Sequence, residues 1–317
     1  MRFLLDADQR ALADTLHAML SAADTPAAVR DWSRGDHTRG RALWSRIAEV
    51  GVFGLAMPEE YGGLGPRPVE LSVAFVELGR HAVPGPLAET VAAAVLLGEP
   101  PPAGRFLPGL AAGTDVATVA APTGYALDGD AASLRLAPAA DGLYLSTAAP
   151  GPVRRSLDPA RRLTRLSPAG ELLTPGAPYD RALVWARLAT AAQALGVGLA
   201  LLDRTVAYVQ QRTQFGVPVG SFQAVKHRLA DAKTALEFAR PLLFGAAVSL
   251  RPAEVAAAKL TACEAAYRTA RTALHLHGAI GYTAEYDLSL WLTKARALRS
   301  AWGTPEECRD LVLADGL

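Results

Sequence analysis

Residues 212–232 read RTQFGVPVGSFQAVKHRLADA, which is a short turn between two helical runs. The first run ends near Gln211, and a glycine, a proline and a second glycine at positions 216, 218 and 220 interrupt regular structure. Ser221 stands where the N-cap of the second helix is expected. The pattern therefore predicts two long helices joined by a tight loop.

The loop carries three side chains that suit a nucleotide, namely Arg212, Gln214 and Phe215. A guanidinium can bind a phosphate through paired N–H groups, and an aromatic ring can face a purine. The same residues also fit a plain helix hairpin, in which Phe215 belongs to the core and Arg212 is a solvated cap.

Composition limits the classes of function. The chain has 317 residues, 50% hydrophobic, and a formal net charge of +1, which predicts two to three domains and no nucleic-acid partner. Two cysteines form neither a metal pattern nor a disulfide framework, so we expect a reduced, cytoplasmic protein. The first ten residues lack an apolar signal core, and no long uncharged apolar run predicts a membrane span.

The order of residues in 212–232 resembles the flavin-contacting signature of the acyl-CoA dehydrogenase family. In that family the arginine and the phenylalanine reach across a dimer interface to the pyrophosphate and adenine of the neighbour's FAD. The resemblance implies FAD contacts for Arg212, Gln214 and Phe215. Residues 54–65 (GLAMPEEYGGLG) and 77–90 (ELGRHAVPGPLAET) are similar to the family's N-terminal helical domain.

A second stretch, HLHGAIGYTAE at 275–285, resembles another FAD-pyrophosphate contact of the family. His275 replaces the usual Gln, and Ala279 replaces a Gly. The resemblance implies FAD contacts for His275, Gly278 and Ala279, while a helix C-terminus capped by Gly278 is the alternative. Two histidines at 275 and 277 diverge on a helix, so we predict no metal site there.

The element pattern predicts a mainly α fold with a small β domain, arranged like an acyl-CoA dehydrogenase. Residues 1–98 are expected to form an N-terminal helical domain, and 99–176 a reduced antiparallel β domain. Residues 177–317 are expected to form a four-helix bundle that makes the oligomer interface and the FAD contacts. The middle domain lacks the family's T-E-P-x-x-G-S-D segment; residues 119–124 stand in its place.

The family's catalytic base is missing from both of its usual positions. Most members place a glutamate where this chain has Trp302, and a few use a helix position that corresponds to Ala186. Neither side chain accepts a proton, and abstraction of a weakly acidic α-proton needs a carboxylate within hydrogen-bond reach. Glu285, Glu306 and Glu307 are the nearby candidates for a relocated base.

The chain departs from the family at these places but keeps the family's residues in the loop at Arg212. In this it resembles the short, non-catalytic subunits of α2β2 acyl-CoA dehydrogenases in actinobacterial steroid catabolism. The resemblance implies a shared FAD, a full-length homologous partner that carries the base, and a steroid-derived acyl-CoA bound mainly by that partner. An electron-transfer flavoprotein or a similar acceptor would take the electrons. An active homomeric enzyme with a relocated base and a flavin-free structural paralogue are the alternatives.

Overall fold

The N-terminal part of the protein is helical. The computed structural model describes residues 4–121 and 123–316. Two short 3₁₀ turns, Val52–Ala56 and Glu59–Tyr61, precede the fourth helix. The helices are Ala7–Ser21 (α1), Thr25–Arg34 (α2), Thr38–Glu49 (α3), Pro68–Arg80 (α4), Leu87–Leu96 (α5) and Pro102–Ala111 (α6).

Two of these helices were not expected from the sequence. α2 has its own signals, since the Asp24 side chain accepts from the amide of Ala27 and Gly35 ends the helix at φ +87°. α6 lies inside the range 99–176 that we assigned to the β domain, so helical structure continues past residue 98. Its prolines are tolerated because Pro102 stands at the helix start and the buried Phe106 and Leu110 hold the helix to the core.

The middle part forms two small sheets. Strand order is β1-β3-β4-β7 in the first and β2-β6-β5 in the second. Pairing is antiparallel except for β1 with β3, which run parallel. The strands are Ala117–Val119 (β1), Tyr125–Leu127 (β2), Leu134–Ala139 (β3), Gly142–Ser146 (β4), Arg154–Arg155 (β5), Arg162–Arg165 (β6) and Gly170–Pro175 (β7).

The trimmed segment at 119–124 is the loop between β1 and β2. The amide of Ala121 donates to the carbonyl of Tyr125, and the amide of Gly124 donates to the carbonyl of Ala121. Pro122 of this segment lies outside the described residues. These two bonds connect the end of β1 to the start of β2 within a few residues.

The C-terminal part contains three long helices, α7 (Tyr179–Gln211), α8 (Gln223–Ser249) and α9 (Pro252–His277). A short β-hairpin joins α7 to α8, and its strands are β8 (Thr213–Gln214) and β9 (Val217–Pro218). The shorter helix α10 (Leu288–Leu298) packs on α7 and α9 and completes the bundle, and α11 (Pro305–Ala314) packs on α9.

Helix α7 is the central element of the fold. It packs against α4, α5, α8, α9 and α10. At Gly196 an added Cβ would lie 1.9 Å from the carbonyl oxygen of Val76, so only glycine permits this approach of α7 to α4. By length and composition α7 could cross a membrane, but 94% of its apolar window is buried within the protein, as in the core helix of a globular domain.

Candidate cofactor-binding site

The loop singled out in the sequence is a tight β-hairpin with an aromatic tip. Thr213 pairs with Pro218 and Gln214 with Val217, so Phe215 and Gly216 form the two-residue turn. Both have positive φ, +53° and +79°, as in a type I′ turn. A bulky residue in this conformation costs about 1–2 kcal/mol. The Phe215 ring is nevertheless 90% exposed, so burial in this chain does not offset that cost.

The alternative in which Phe215 belongs to the core does not hold, because its ring is exposed. One expectation for this loop was wrong. Ser221 is not the N-cap of α8, because it belongs to the 3₁₀ turn Val219–Ser221 and its hydroxyl donates to the carbonyl of Pro218 at 2.7 Å. α8 begins at Gln223 instead, after Phe222 in an extended conformation. The 3₁₀ turn thus lies between the hairpin and the start of α8.

Arg212 is held in place by the second predicted segment. Its Nη1 donates to the hydroxyl of Tyr208 at 2.6 Å and to the carbonyl oxygen of His277 at 3.1 Å. The Tyr208 ring stacks on His277 with centroids 4.0 Å apart. Within the described residues, both protein hydrogen bonds of the guanidinium use Nη1, so Nε and Nη2 remain available for an anion.

Gly278 offers an open backbone next to this guanidinium. Its conformation, φ +66° and ψ −140°, is one that only glycine adopts at low cost. An added Cβ would meet only Arg212 Nη1, at 3.9 Å. The fold therefore brings together two segments that are 65 residues apart in sequence. His275, Gln214 and Ala279 are exposed on the same two segments.

The two histidines of the second segment have different surroundings. His277 is buried, its Nδ1 lies 2.8 Å from the carbonyl oxygen of Ala273, and burial lowers its pKa. Because the carbonyl only accepts, this Nδ1 carries the proton of a neutral ring. His277 is thus a structural support for Arg212, whereas His275 lies at the surface.

These groups fit the outer half of a dinucleotide. Arg212 has free N–H groups for a phosphate, Gly278 allows close approach of the backbone, and Phe215 presents a ring for a base. Beside them lies a cleft of about 390 Å³, lined among others by Arg204, Tyr208 and Glu285. Phe215 is exposed, and Arg212 and Gly278 are partly exposed, so a ligand can reach all three from the surface.

Trp302 occupies the position at which the resemblance places the family's base, and hydrogen bonds hold it there. Its indole Nε1 donates to Oε1 of Glu89 at 3.1 Å, and its carbonyl oxygen accepts from Nε of Arg187 at 2.9 Å. Trp302 also has a positive φ of +58°. Ala186, at the alternative position, is fully buried in α7. Neither position presents a proton acceptor.

Glu89 was missed in the sequence. It is 4% exposed, and burial raises the pKa of its carboxyl, while Arg161 lies 4.0 Å away. A signal was present, because Glu89 is the only charged residue in the otherwise apolar run Leu87–Leu96. Charged groups are rarely buried in such a run unless they are paired.

Two of the three carboxylates considered for a relocated base have partners elsewhere, and the third, Glu285, lies at a surface cleft. Glu307 caps α11, since its Oε2 accepts from the amide of Thr304 at 2.7 Å. Glu306 is exposed and 3.7 Å from Arg309. Glu285 lines the cleft beside Tyr208, and its backbone carbonyl accepts from Arg30. The carboxylate that contacts Trp302 is Glu89 instead.

Comparison with known proteins identifies the family. Residues 6–114 match the model for the acyl-CoA dehydrogenase N-terminal domain, and 179–317 match the C-terminal domain. The chain is 33% identical over 302 residues to acyl-CoA dehydrogenase IpdE2 of Mycobacterium tuberculosis, covering 95% of this chain and 94% of the relative.

Two solved structures show the same fold. Butyryl-CoA dehydrogenase of Megasphaera elsdenii has a TM-score of 0.85 at 23% identity, covering 99% of each chain. A variant of the Tcur3481-Tcur3483 steroid ACAD has a TM-score of 0.84 at 25% identity, covering 98% of each chain. This chain therefore belongs to the acyl-CoA dehydrogenase family of oxidoreductases.

Proposed function

We propose that this chain is the non-catalytic subunit of a heteromeric, FAD-dependent acyl-CoA dehydrogenase. In this assembly it lends Arg212, Gln214 and Phe215 to an FAD bound mainly by a full-length homologous partner, with His275, Gly278 and Ala279 completing the contact. One observation carries the proposal. Phe215 is 90% exposed on a turn that a phenylalanine adopts only at a cost, so an external ligand is needed to account for it.

Acyl-CoA dehydrogenation requires two groups close to the substrate. A base removes the α-proton, and bound FAD accepts the hydride from the β-carbon. Here position 302 presents an indole N–H that is already bonded to Glu89, so this chain offers a donor where an acceptor is required. We therefore assign proton abstraction to the partner subunit, and anchoring of the dinucleotide to this chain.

The relatives support the substrate class. One solved structure at 25% identity is a steroid ACAD whose name joins two gene products. We propose a steroid-derived acyl-CoA thioester as substrate, an α2β2 assembly, and an electron-transfer flavoprotein or a similar acceptor. A short subunit without a thioester site of its own leaves more room for a bulky substrate in the partner's site.

Co-expression with a full-length homologue tests the proposal. We expect a complex with the mass of an α2β2 tetramer and a flavin spectrum. Arg212→Ala should lower its FAD content, and Arg212→Lys should restore only part, because an ammonium lacks the paired N–H geometry. An unchanged FAD content in Arg212→Ala would instead support a flavin-free structural role.

Glu89 supports a second candidate function, an active enzyme with a relocated base. It is a buried carboxylate with a raised pKa in contact with the residue at the usual base position. Glu89→Gln separates the two functions, since glutamine keeps an acceptor for the Trp302 indole but cannot take a proton. Our proposal predicts full turnover of the complex; a relocated base predicts loss of turnover with unchanged FAD content.

A further inference from the structure

Three potential metal ligands meet on the outer face of the N-terminal helices, at a place that the FAD site does not use. His17 lies on α1, Glu77 on α4, and His81 directly follows α4. His17 Nδ1 is 3.1 Å from Glu77 Oε2 and 3.2 Å from His81 Nε2. All three ligand atoms lie within 4.8 Å of one another.

Hydrogen bonds alone do not satisfy all three of these ligand atoms. A neutral imidazole nitrogen has either one hydrogen or one lone pair. His17 Nδ1 nevertheless faces two partners at hydrogen-bond distance, and a single proton can serve only one of them at full strength. A cation between the three atoms would satisfy each lone pair at the same time.

Two of the three separations between ligand atoms suit a small tetrahedral cation, and the third is within 4.8 Å. Around zinc, with bonds of about 2.0–2.1 Å, neighbouring ligand atoms stand about 3.3–3.4 Å apart. The two short separations here, 3.1 and 3.2 Å, are close to that value. Two imidazoles and one carboxylate are a ligand set that selects zinc and similar transition metals over magnesium or calcium.

The buried position of Glu77 favours binding of a cation. Only 13% of its side chain is exposed, so a charged carboxylate there lacks full solvation. A cation between Glu77 and the two imidazoles would supply the missing compensation.

Charged side chains of both signs lie near the three ligands. Arg80 opposes a cation, with Nε 3.8 Å from Glu77 Oε2, but its Nη2 is already bonded to Asp203 at 2.8 Å. Asp14 adds a second negative charge near Glu77. His17 itself is half exposed, so a metal has access from solvent.

We propose that His17, Glu77 and His81 bind one zinc-class divalent cation, which fastens α1 to α4. Another polar contact on the same pair of helices, Gln9 Nε2 to Glu70 Oε1 at 3.1 Å, shows that α1 and α4 already meet side by side. Three protein ligands leave a fourth position for water. None of these three residues belongs to the two segments that we assign to FAD.

Titration calorimetry with zinc chloride tests this directly, on tag-free protein in its soluble assembly after treatment with EDTA. We expect one zinc per copy of this chain and a higher thermal unfolding temperature with zinc. Loss of even an outer-shell partner weakens metal binding about 10–100-fold, so His17→Ala and His81→Ala should weaken it at least about 10-fold.

The matched control is His227→Ala, which removes an exposed histidine from α8. It should keep full zinc affinity, and His17→Ala and His81→Ala should keep their FAD content. Zinc binding that persists at full strength in both His17→Ala and His81→Ala would overturn the proposal, as would the absence of zinc binding to the unaltered protein. Neither result would affect the FAD proposal.

Discussion

Trp302 Nε1 donates a 3.1 Å hydrogen bond to Oε1 of Glu89, across 213 residues of sequence. The bond joins the segment before α11 to the buried helix α5. Glu89 is almost fully buried, and Arg161, a nearby cation, lies 4.0 Å away. The indole of Trp302 is therefore its closest hydrogen-bond donor from another segment. Trp302, at the position where the resemblance places the family's base, thus links two distant parts of the fold.

Trp302→Phe should destabilise the subunit without reducing turnover of the complex. Loss of the indole N–H leaves a buried carboxylate with one partner fewer, which costs about 1–3 kcal/mol. Glu89→Gln should cost less, because its amide oxygen still accepts from Trp302. Denaturant unfolding of the subunit measures the first effect, and steady-state turnover of the complex measures the second. A fall in turnover of more than about tenfold in Trp302→Phe would contradict a structural role. Such a fall corresponds to about 1.4 kcal/mol of activation free energy.

Asp128 should make the stability of the protein depend on pH. Burial raises the pKa of Asp128 to about 8, although its Oδ1 accepts from the amide of Arg162 at 3.2 Å. The unfolded chain releases this proton near pH 4, whereas the native protein keeps it until about pH 8. The native state therefore binds more protons between these values, and the free energy of unfolding should fall as the pH rises from about 4 to 8.

Asp128→Asn provides the matched variant for that slope. Asparagine keeps an acceptor for the Arg162 amide and tolerates the positive φ of +53° at this position. Urea unfolding at several pH values should show a flatter profile in Asp128→Asn and an unchanged profile in Asp310→Asn, which alters an exposed carboxylate on α11. Equal slopes in all three proteins would show that Asp128 does not hold its proton.

Phe215→Asn should separate stability from FAD binding. Asparagine is favoured in a type I′ turn, so the free subunit should be as stable as the original or more stable, by up to about 1 kcal/mol. The complex should nevertheless contain less FAD, because the exposed ring is lost. Thermal unfolding and flavin absorbance measure the two quantities. Leu313→Ala, which removes another exposed apolar side chain, is the control and should change neither; full FAD content in Phe215→Asn would remove Phe215 from the contact.

The sequence predicted most of the helices, and the N-terminal helices that it missed, α2 and α6, are ten residues long. The helical run before Arg212 was expected to end near Gln211, and α7 ends there after 33 residues rich in apolar side chains. α6 was missed because its two prolines and two glycines are typical of loops. Burial of Phe106 and Leu110 decides its structure, and burial is a tertiary property.

The two parts of the candidate site differ in the same way. Arg212 and Phe215 belong to one continuous motif, so the sequence alone pointed to them. The bond from Arg212 to His277 and the bond from Trp302 to Glu89 join distant segments, and no local spacing predicts either. The cluster of His17 with Glu77 likewise spans 60 residues, although Glu77 and His81 stand one helical turn apart in the sequence.

The most direct test of the central claim is the FAD content of this chain, purified alone and with its full-length partner. We predict a colourless chain alone and about one FAD per heterodimer in the complex, as expected if this chain supplies only the outer contacts of one shared site. A yellow protein that carries one FAD for each copy of this chain, without any partner, would contradict the account.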